Sequence, residues 1–222
     1  MDGVLVDSTP AVARVWSRWA IDHGFDPIWA TKKAHGRPSM ATIQELLPSA
    51  TATVHQKENE WMEREEIADL LDVVALPGSL ELLSLLPNHR FAVVTSATRA
   101  LAEVRLDAGG LLKFARNMIT SGDITHGKPD PEPYLKGAAI LNLPPADCVV
   151  IEDAPSGVRS GKAAGARVIA LRTTTDDDEL RSAGADWIVG DCSAIRLYEG
   201  DPRHILVELV DSPGMRRQPK MS

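Results

Sequence analysis

Short apolar runs alternate with helical stretches through the last two thirds of this sequence, from residue 76 onward. A parallel β-sheet needs crossover segments of this kind between its strands, usually helices. The pattern therefore predicts an α/β fold of the Rossmann-like, doubly wound class, with helices on both faces of a parallel sheet. The predicted strands occupy residues 91–94, 117–120, 148–151, 167–171 and 187–189.

The segment 9–75 differs, because its apolar residues recur at helical spacing only. It predicts one helix capped by Thr9, one capped by Ser39 and one over residues 53–74, with residues 26–38 irregular. We therefore divide the chain into an α/β core, an all-helical cap inserted after the first motif, and a frayed tail. The core comprises residues 1–8 and 76–210, the cap residues 9–75, and the tail residues 211–222.

Composition limits the partners that this chain can have. A formal net charge of −7 over 222 residues disfavours a nucleic-acid or anionic-membrane surface. No apolar run approaches the ~20 residues of a membrane span, and no secretion signal is visible. Cys148 and Cys192 fit neither a disulfide framework nor a metal site, so both are predicted to be reduced core thiols. We expect a cytoplasmic protein, monomeric or weakly dimeric, with no nucleic-acid or membrane partner.

Polar residues follow the predicted strands at the edge where open parallel sheets bind ligands. The strongest signal is the pair Glu152-Asp153, directly after four apolar residues. Adjacent carboxylates at a buried strand end repel each other unless a cation lies beside them, and oxygen ligands of this kind suit Mg²⁺. A further aspartate, two hydroxyl side chains and a lysine complete a set of groups suited to phosphoryl transfer. These further candidates are Asp2, Thr95, Ser96 and Lys128.

Each candidate also has a purely structural interpretation. Thr95 and Ser96 can cap the helix that follows them, and an isolated lysine such as Lys128 is usually a solvated surface residue. Prolines at positions 129 and 131 stiffen the Lys128 segment, which suits a lysine held in one position. The acidic run 176–178 lies at a predicted helix start, where the helix dipole favours negative charge, and we assign it there.

Four segments, taken in order, resemble the four motifs of the haloacid dehalogenase-like hydrolases. The resemblance covers nearly the whole chain, and the insert after the first motif is similar to the small helical cap of that family. Residues 34–38 and 193–210 look most similar to its fungal branch of glycerol-phosphate and 2-deoxyglucose-6-phosphate phosphatases. The four segments are MDGVLVDS (1–8), VVTS (93–96), GKPDPEPY (127–134) and VIEDAPSGV (150–158).

The resemblance implies a catalytic role for four of the candidates. Asp2 would be the general acid/base, which protonates the leaving alcohol and later activates water. Thr95, helped by Ser96, would bind the phosphoryl group. Lys128 would pair with that group and with the nucleophile.

The resemblance also implies metal ligands and cap residues. Asp153 would ligate Mg²⁺, Glu152 would do so directly or through water, and the backbone carbonyl of Asp2 would face the ion. Arg37 and His35 of the cap would reach the distal part of the substrate. For Arg37 a surface position is an equally good interpretation, and for His35 an ordinary loop histidine is the more common one.

The nucleophile of this family is an aspartate two positions before the acid/base residue. With Asp2 in that role, the nucleophile and the apolar strand leading into it would precede Met1. We expect an N-terminally truncated form of an ordinary Mg²⁺-dependent phosphatase, which in its full-length form cleaves a small sugar or polyol phosphate through a phosphoaspartyl intermediate. Two alternatives stay open: a non-catalytic protein that binds a phosphometabolite or a partner, and a catalyst of a different reaction that uses Asp2 and Mg²⁺.

Overall fold

An initial strand and four helices precede a long alternation of strands and helices in the part of the chain that the structure describes. This computed structural model describes residues 1–34, 37–199 and 205–210. The alternation confirms the predicted α/β class. The helices are α1 (Thr9–Asp22), α2 (Pro27–Ala34), α3 (Ser39–Leu46), α4 (Ala52–Ala68), α5 (Ser79–Leu85), α6 (Arg99–Ala108), α7 (Glu132–Ile140), α8 (Pro155–Ala163) and α9 (Asp177–Ser182). The strands are β1 (Val6–Asp7), β2 (Val74–Ala75), β3 (Val93–Val94), β4 (Met118–Ile119), β5 (Val149–Glu152), β6 (Arg167–Leu171), β7 (Trp187–Val189), β8 (Ile195–Glu199) and β9 (Ile205–Leu209).

The parallel strands form two ladders within the described residues. β3 pairs with β4, and β6 pairs with β5 on one side and β7 on the other. Helices α6, α8 and α9 supply the crossovers that parallel pairing requires, and α7 connects the two ladders. An apolar cavity of about 430 Å³ is lined by both β3 and β5 and by Met1. The apolar strand that the resemblance places ahead of Asp2, in the middle of the sheet, remains a prediction.

The first residues make a buried turn that holds Asp2 at the edge of the main core. Gly3 has φ +66°, a conformation that costs glycine nothing and strains a residue with a Cβ. Its N–H donates to the carbonyl of Val6 at 2.9 Å. The main core takes its N-terminal members from this turn, namely Met1, Val4, Leu5 and Val6.

Helices α1 to α4 pack around an apolar cluster of their own, separate from the main core. Trp16 and Trp19 of α1 are both buried, and their rings meet edge to face with centroids 5.5 Å apart. They belong to the cap's core, as an apolar stripe on a helix usually does. Helix α4 also packs against α6, which brings one face of the cap onto the α/β core.

The prediction that residues 26–38 are irregular is wrong, because α2 occupies most of them. Asp26 accepts a hydrogen bond from the backbone N–H of Trp29 at 2.7 Å, and Pro27 stands at the first helical position. These are the residue types that start helices, so the signal was present in the sequence.

The helix predicted over residues 53–74 corresponds to α4, which ends at Ala68 and not at residue 74. Arg14 donates to Asp69 through Nε at 3.0 Å and Nη2 at 2.7 Å. This paired contact fixes the chain as it leaves α4, and it joins residues far apart in the sequence. Helical periodicity therefore could not mark this boundary.

Two helix starts are shifted relative to the predictions. The N-cap of α1 is Ser8 and not Thr9. The N–H of Thr9 donates to Asp7 Oδ1 at 2.9 Å. Helix α3 begins at Ser39 itself. The Ser39 hydroxyl donates to Asn59 Oδ1 at 2.6 Å instead of capping its own helix.

Both cysteines are free, but they differ in burial. Cys192 lies in the main core, as predicted. Cys148 is only half-buried, because it stands at the entry to β5 where the chain meets the surface, so the core assignment is wrong for this residue. A search of the described helices finds none that combines the length and the apolar character needed to cross a membrane. The predicted tail, residues 211–222, and His35 of the cap lie outside the described residues.

Candidate active site

A cavity of about 380 Å³ lies between the cap helices and the carboxyl ends of β3 and β5. Residues from widely separated parts of the sequence meet there, as expected for the carboxyl edge of a parallel sheet. The structure thus brings the described candidate site residues to one cavity. Those that line it are Asp2, Arg37, Thr95, Ser96, Lys128, Glu152 and Asp153.

Glu152 and Lys128 form a buried ion pair at the floor of this cavity. Their side chains are only 5% and 10% exposed, and Lys128 Nζ contacts Glu152 Oε1 and donates to the carbonyl of Val94 at 3.3 Å. The hydroxyl of Tyr134 donates to the same carboxylate oxygen, and the N–H of Asp153 donates to the other at 3.1 Å. Burial opposes ionisation of Glu152, but the charges of Lys128 and of the Met1 amino group, with the hydrogen bonds from Lys128 and Tyr134, outweigh it and lower its pKa to about 2.

Glycine at position 157 lets the backbone of α8 approach the Glu152 carboxylate. A Cβ on Gly157 would lie 2.0 Å from Glu152 Cδ and 2.1 Å from its Oε1. Glycine costs about 1 kcal/mol relative to alanine inside a helix, so its presence here reflects the space that the carboxylate needs. Gly3 likewise leaves space for the Asp153 carboxylate, since a Cβ added to Gly3 would lie 2.0 Å from Asp153 Oδ2.

Asp153 lies beside Glu152 in the same buried edge and accepts a hydrogen bond from the Thr174 hydroxyl. Burial and the negative charge of Glu152 raise the pKa of Asp153 to about 7. The local positive charge is therefore too small to keep both carboxyl groups ionised at neutral pH. Sequence reasoning missed Thr174, although it stands in the loop after β6 at the ligand-binding edge of the sheet.

Asp2 is held by two donors on one of its oxygens. Ser8 Oγ donates to Asp2 Oδ1 at 2.6 Å, and Arg105 Nη1 donates to the same atom at 3.1 Å. Burial raises the pKa of Asp2, but the charges of Arg105 and of the Met1 amino group, together with the hydrogen bond from Ser8, outweigh it, so the pKa is lowered. The carboxylate is thus oriented through Oδ1, and Oδ2 has no partner among the described residues.

Arg105 was not among the sequence candidates. Its side chain is 5% exposed, and its second terminal nitrogen donates to Glu66 Oε2 of the cap helix α4 at 3.2 Å. One guanidinium therefore lies between two carboxylates, one from the first loop and one from the cap. Burial of Glu66, only partly opposed by the Arg105 charge, raises the pKa of that glutamate.

Thr95 does not cap the helix that follows it. Its hydroxyl oxygen accepts a hydrogen bond from the N–H of Ala97 at 3.1 Å, while Thr98 caps α6 by accepting from Leu101 N–H. Thr95 is buried at the end of β3 and Ser96 lines the cavity beside it. The Thr95 hydroxyl hydrogen remains available to an anion in the cavity, which favours the phosphate-binding interpretation over the capping one.

Arg37 lines the cavity but is exposed and already paired. Its Nη1 donates to Glu45 Oε2 of α3 at 2.7 Å, and Lys33 Nζ contacts the other oxygen at 2.7 Å. These bonds from Lys33 and Arg37 lower the pKa of Glu45. A substrate contact by Arg37 remains a prediction.

A different group of side chains could also hold a metal ion. Among the described residues, His126, Asp130 and Glu132 bring their ligand atoms within 4.8 Å of one another. The Glu132 carboxylate already accepts from the backbone N–H groups of Thr125 and His126, at 2.9 and 2.7 Å. Those bonds give the group a structural role in the loop before α7, outside the cavity.

Comparison with known proteins gives a consistent result. The sequence profile of the haloacid dehalogenase-like hydrolases matches residues 1–165. Hexitol phosphatase A of Escherichia coli is 38% identical over 182 residues, which cover 81% of this chain and 84% of that protein. Glycerol-1-phosphate phosphohydrolase 1 of Saccharomyces cerevisiae is 34% identical over 95% of this chain and 87% of its own length. The crystal structure of a hydrolase from Pseudomonas syringae superposes with a TM-score of 0.76 at 25% identity, over 86% of this chain and 91% of that chain.

Proposed function

We propose that this chain, which belongs to the haloacid dehalogenase-like hydrolases, releases phosphate from a small sugar or polyol phosphate. It is an enzyme of the phosphatase type found in that family. The observation that carries the proposal is the single cavity in which Asp2, Thr95, Lys128 and Asp153 meet under the cap. The relatives named for hexitol and for glycerol 1-phosphate support a polyol as the leaving group; the non-catalytic alternative gains no support from them.

The phosphoryl group would bind where the strand ends place hydrogen-bond donors. Thr95 can donate its hydroxyl hydrogen, Ser96 lies next to it, and Lys128 supplies a positive charge in a largely buried setting. Donors fixed in a poorly hydrated site stabilise developing negative charge better than mobile water does. Glu152 would act mainly by holding Lys128 in place, because its oxygens are already engaged.

Asp2 would be the general acid and base. Ser8 and Arg105 fix its Oδ1, so Oδ2 can face the leaving oxygen and exchange a proton with it. We propose as nucleophile the aspartate that the resemblance places two positions before Asp2, in a longer form of the chain. Its carboxylate would take up the phosphoryl group and form a phosphoaspartyl intermediate.

A divalent cation, Mg²⁺ in our proposal, fits the carboxylates of this edge. Asp2, Glu152 and Asp153 are oxygen donors of the kind that Mg²⁺ takes. The raised pKa of Asp153 indicates an excess of negative charge that a cation would offset. Asp153 would be the main ligand, with Glu152 contributing through water and Asp2 through its backbone carbonyl; the bound ion would neutralise charge on the phosphoryl oxygens.

We expect Asp153→Asn to weaken Mg²⁺ binding by at least about tenfold, measured by isothermal titration calorimetry. Asp178→Asn is the matched control, since that side chain is 96% exposed and does not line the cavity. Because ligation needs the carboxylate, affinity in the native chain should fall as the pH drops below about 7, where Asp153 takes up a proton. Equal effects of the two substitutions, or a loss with Asp130→Asn alone, would move the metal site elsewhere.

The function itself is tested by phosphate release. The protein expressed from its full coding sequence should hydrolyse glycerol phosphate or 2-deoxyglucose 6-phosphate with Mg²⁺, and chelation of the metal should stop the reaction. Asp2→Asn, assayed in parallel, should lower the rate by about 10²–10⁴-fold, the usual contribution of a general acid/base. A preparation that is folded, binds Mg²⁺ and releases no phosphate from either ester contradicts the proposal.

A further inference from the structure

The wall of the cavity opposite the strand ends is formed by polar residues of α4. Asn59, Glu63 and Glu66 all line the cavity. Their spacing of four and then three residues places them on one face of the helix. Other positions of α4, such as Glu60, are charged, exposed and outside the cavity. The cavity therefore has an anion-binding end at the sheet and a second polar end on the cap.

The hydrogen bonds at this second end leave several groups free for a ligand. Asn59 Oδ1 accepts from Ser39 at 2.6 Å, and Glu63 Oε1 accepts from Thr98 Oγ1 at 2.5 Å. Within the described residues, the Asn59 amide nitrogen and Glu63 Oε2 have no partner. The buried hydroxyl of Thr31, which also lines the cavity, has none either. Donors and acceptors on fixed side chains match the hydroxyl groups of an alcohol.

The charges at this end are unbalanced. Glu66 shares Arg105 with Asp2, whereas Glu63 has no cationic partner in the described part of the chain. Arg37, the cation of the cap that lines the cavity, is paired with Glu45. A ligand that brought a second negative charge to this end would meet an uncompensated carboxylate, while a hydroxyl could donate to it.

We propose that Asn59 and Glu63 form the leaving-group subsite and select a neutral, hydroxylated leaving group over one that carries a second anionic group. Thr98, at the start of α6, holds the Glu63 carboxylate in position. The selection works by repulsion as well as by attraction, as specific sites commonly do. This inference rests on the proposed phosphatase function and adds the residues and the charge rule that set its substrate.

The test compares two esters that differ in one group. Glycerol 3-phosphate and 3-phosphoglycerate share a three-carbon skeleton, and the second has a carboxylate where the first has a hydroxymethyl group. We expect kcat/KM to favour glycerol 3-phosphate by about 10–100-fold, the scale of one unfavourable charge contact near a protein surface. Glu63→Gln should reduce this ratio by about tenfold or more, because the amide keeps the shape and removes the charge.

Glu60→Gln is the matched control, since it makes the same change on the same helix at an exposed position outside the cavity. It should leave the ratio unchanged, and orthophosphate inhibition should be the same in all three proteins. If Glu63 only stabilised the cap, Glu63→Gln would lower kcat/KM for both esters by the same factor, and the ratio between the esters would not change.

Two results overturn the inference, and they are distinguishable. If both esters are cleaved but the ratio is near one, or Glu63→Gln leaves it unchanged, the subsite assignment is wrong and the phosphatase proposal stands. If neither ester is cleaved and orthophosphate does not bind, the phosphatase proposal fails and the inference fails with it.

Discussion

Replacement of Arg105 by methionine should lower the free energy of unfolding by about 3 kcal/mol. Removal of one partner from a buried ion pair costs about 3–5 kcal/mol, because the charge left behind has lost its compensation. Arg105 compensates two carboxylates, on Asp2 and Glu66. We expect the lower end of the range because the Asp2 side chain is 34% exposed and part of its charge would be met by water. Urea denaturation of the native chain and the variant measures the difference.

The matched control is Arg99→Met on the same helix, where the arginine is 51% exposed and its ion pairs lie at the surface. Surface pairs contribute about 0–1 kcal/mol, so this variant should remain close to the native chain. A double variant, Arg105→Met with Glu66→Met, should recover part of the loss, because it removes one of the two uncompensated charges. If Arg105→Met is no less stable than Arg99→Met, the ion pairs of Arg105 with Asp2 and Glu66 do not stabilise the fold as described.

The stability lost in Arg105→Met should also depend on pH, and the ionisation of Glu66 sets the direction of that dependence. Burial already raises the pKa of this carboxyl in the folded chain. A raised folded pKa favours folding while the group is protonated, and that contribution is lost as the pH rises through the folded pKa. Without Arg105 the pKa rises further, so the deficit of the variant should be larger at about pH 8 than at about pH 5. A constant deficit over this range would contradict the assignment of Glu66.

The residues at the strand ends were predictable because the relevant signals are local. A run of apolar residues followed at once by Glu152-Asp153 marks both a buried strand and its tip. The rule that parallel strands present their carboxyl ends at one edge then brings Thr95 and Lys128 to the same place. In the structure these residues line one cavity.

Arg105 could not be found in this way. It shares a face of α6 with the apolar residues Leu101, Ala102 and Leu106, so the pattern indicates a buried arginine but does not identify the carboxylates that it compensates. Its partner Asp2 lies 103 positions away in the sequence. The packing of α4 against α6 brings Glu66 to Arg105, and the first turn brings Asp2 to the same guanidinium. The division of the parallel strands into two ladders is likewise a property of pairing between strands, which the pattern within each strand does not contain.

The end of α4 shows the same limit on a smaller scale. The sequence continues with residues that can be helical, and the boundary is set by the Arg14 contact with Asp69. By contrast, the start of α2 was marked by Asp26 and Pro27, and a capping rule applied there would have found it. Capping signals are local, whereas a boundary made by a distant side chain is not.

Replacement of Lys128 by methionine should abolish most phosphatase activity, with a loss of about 10²–10³-fold in kcat, the usual effect of removing one fixed donor from a transition state. The same change leaves Glu152, which is 5% exposed, without a cation. Stability should therefore fall as well, by about 3 kcal/mol or more. Lys136→Met is the control, because that lysine is exposed and pairs with Glu132 outside the cavity.

The two effects of Lys128→Met can be separated by a second substitution. Lys128→Met with Glu152→Gln removes the uncompensated charge, and the glutamine can still accept from Tyr134 and from the N–H of Asp153. Stability measured in urea should return most of the way to the native value, since a neutral buried pair is often no less stable than an ionic one. Orthophosphate affinity and phosphate release should stay low, because the donor facing the phosphoryl group is still missing. Recovery of activity together with stability would mean that Lys128 serves the fold alone, and the phosphate would then have to be bound by other residues.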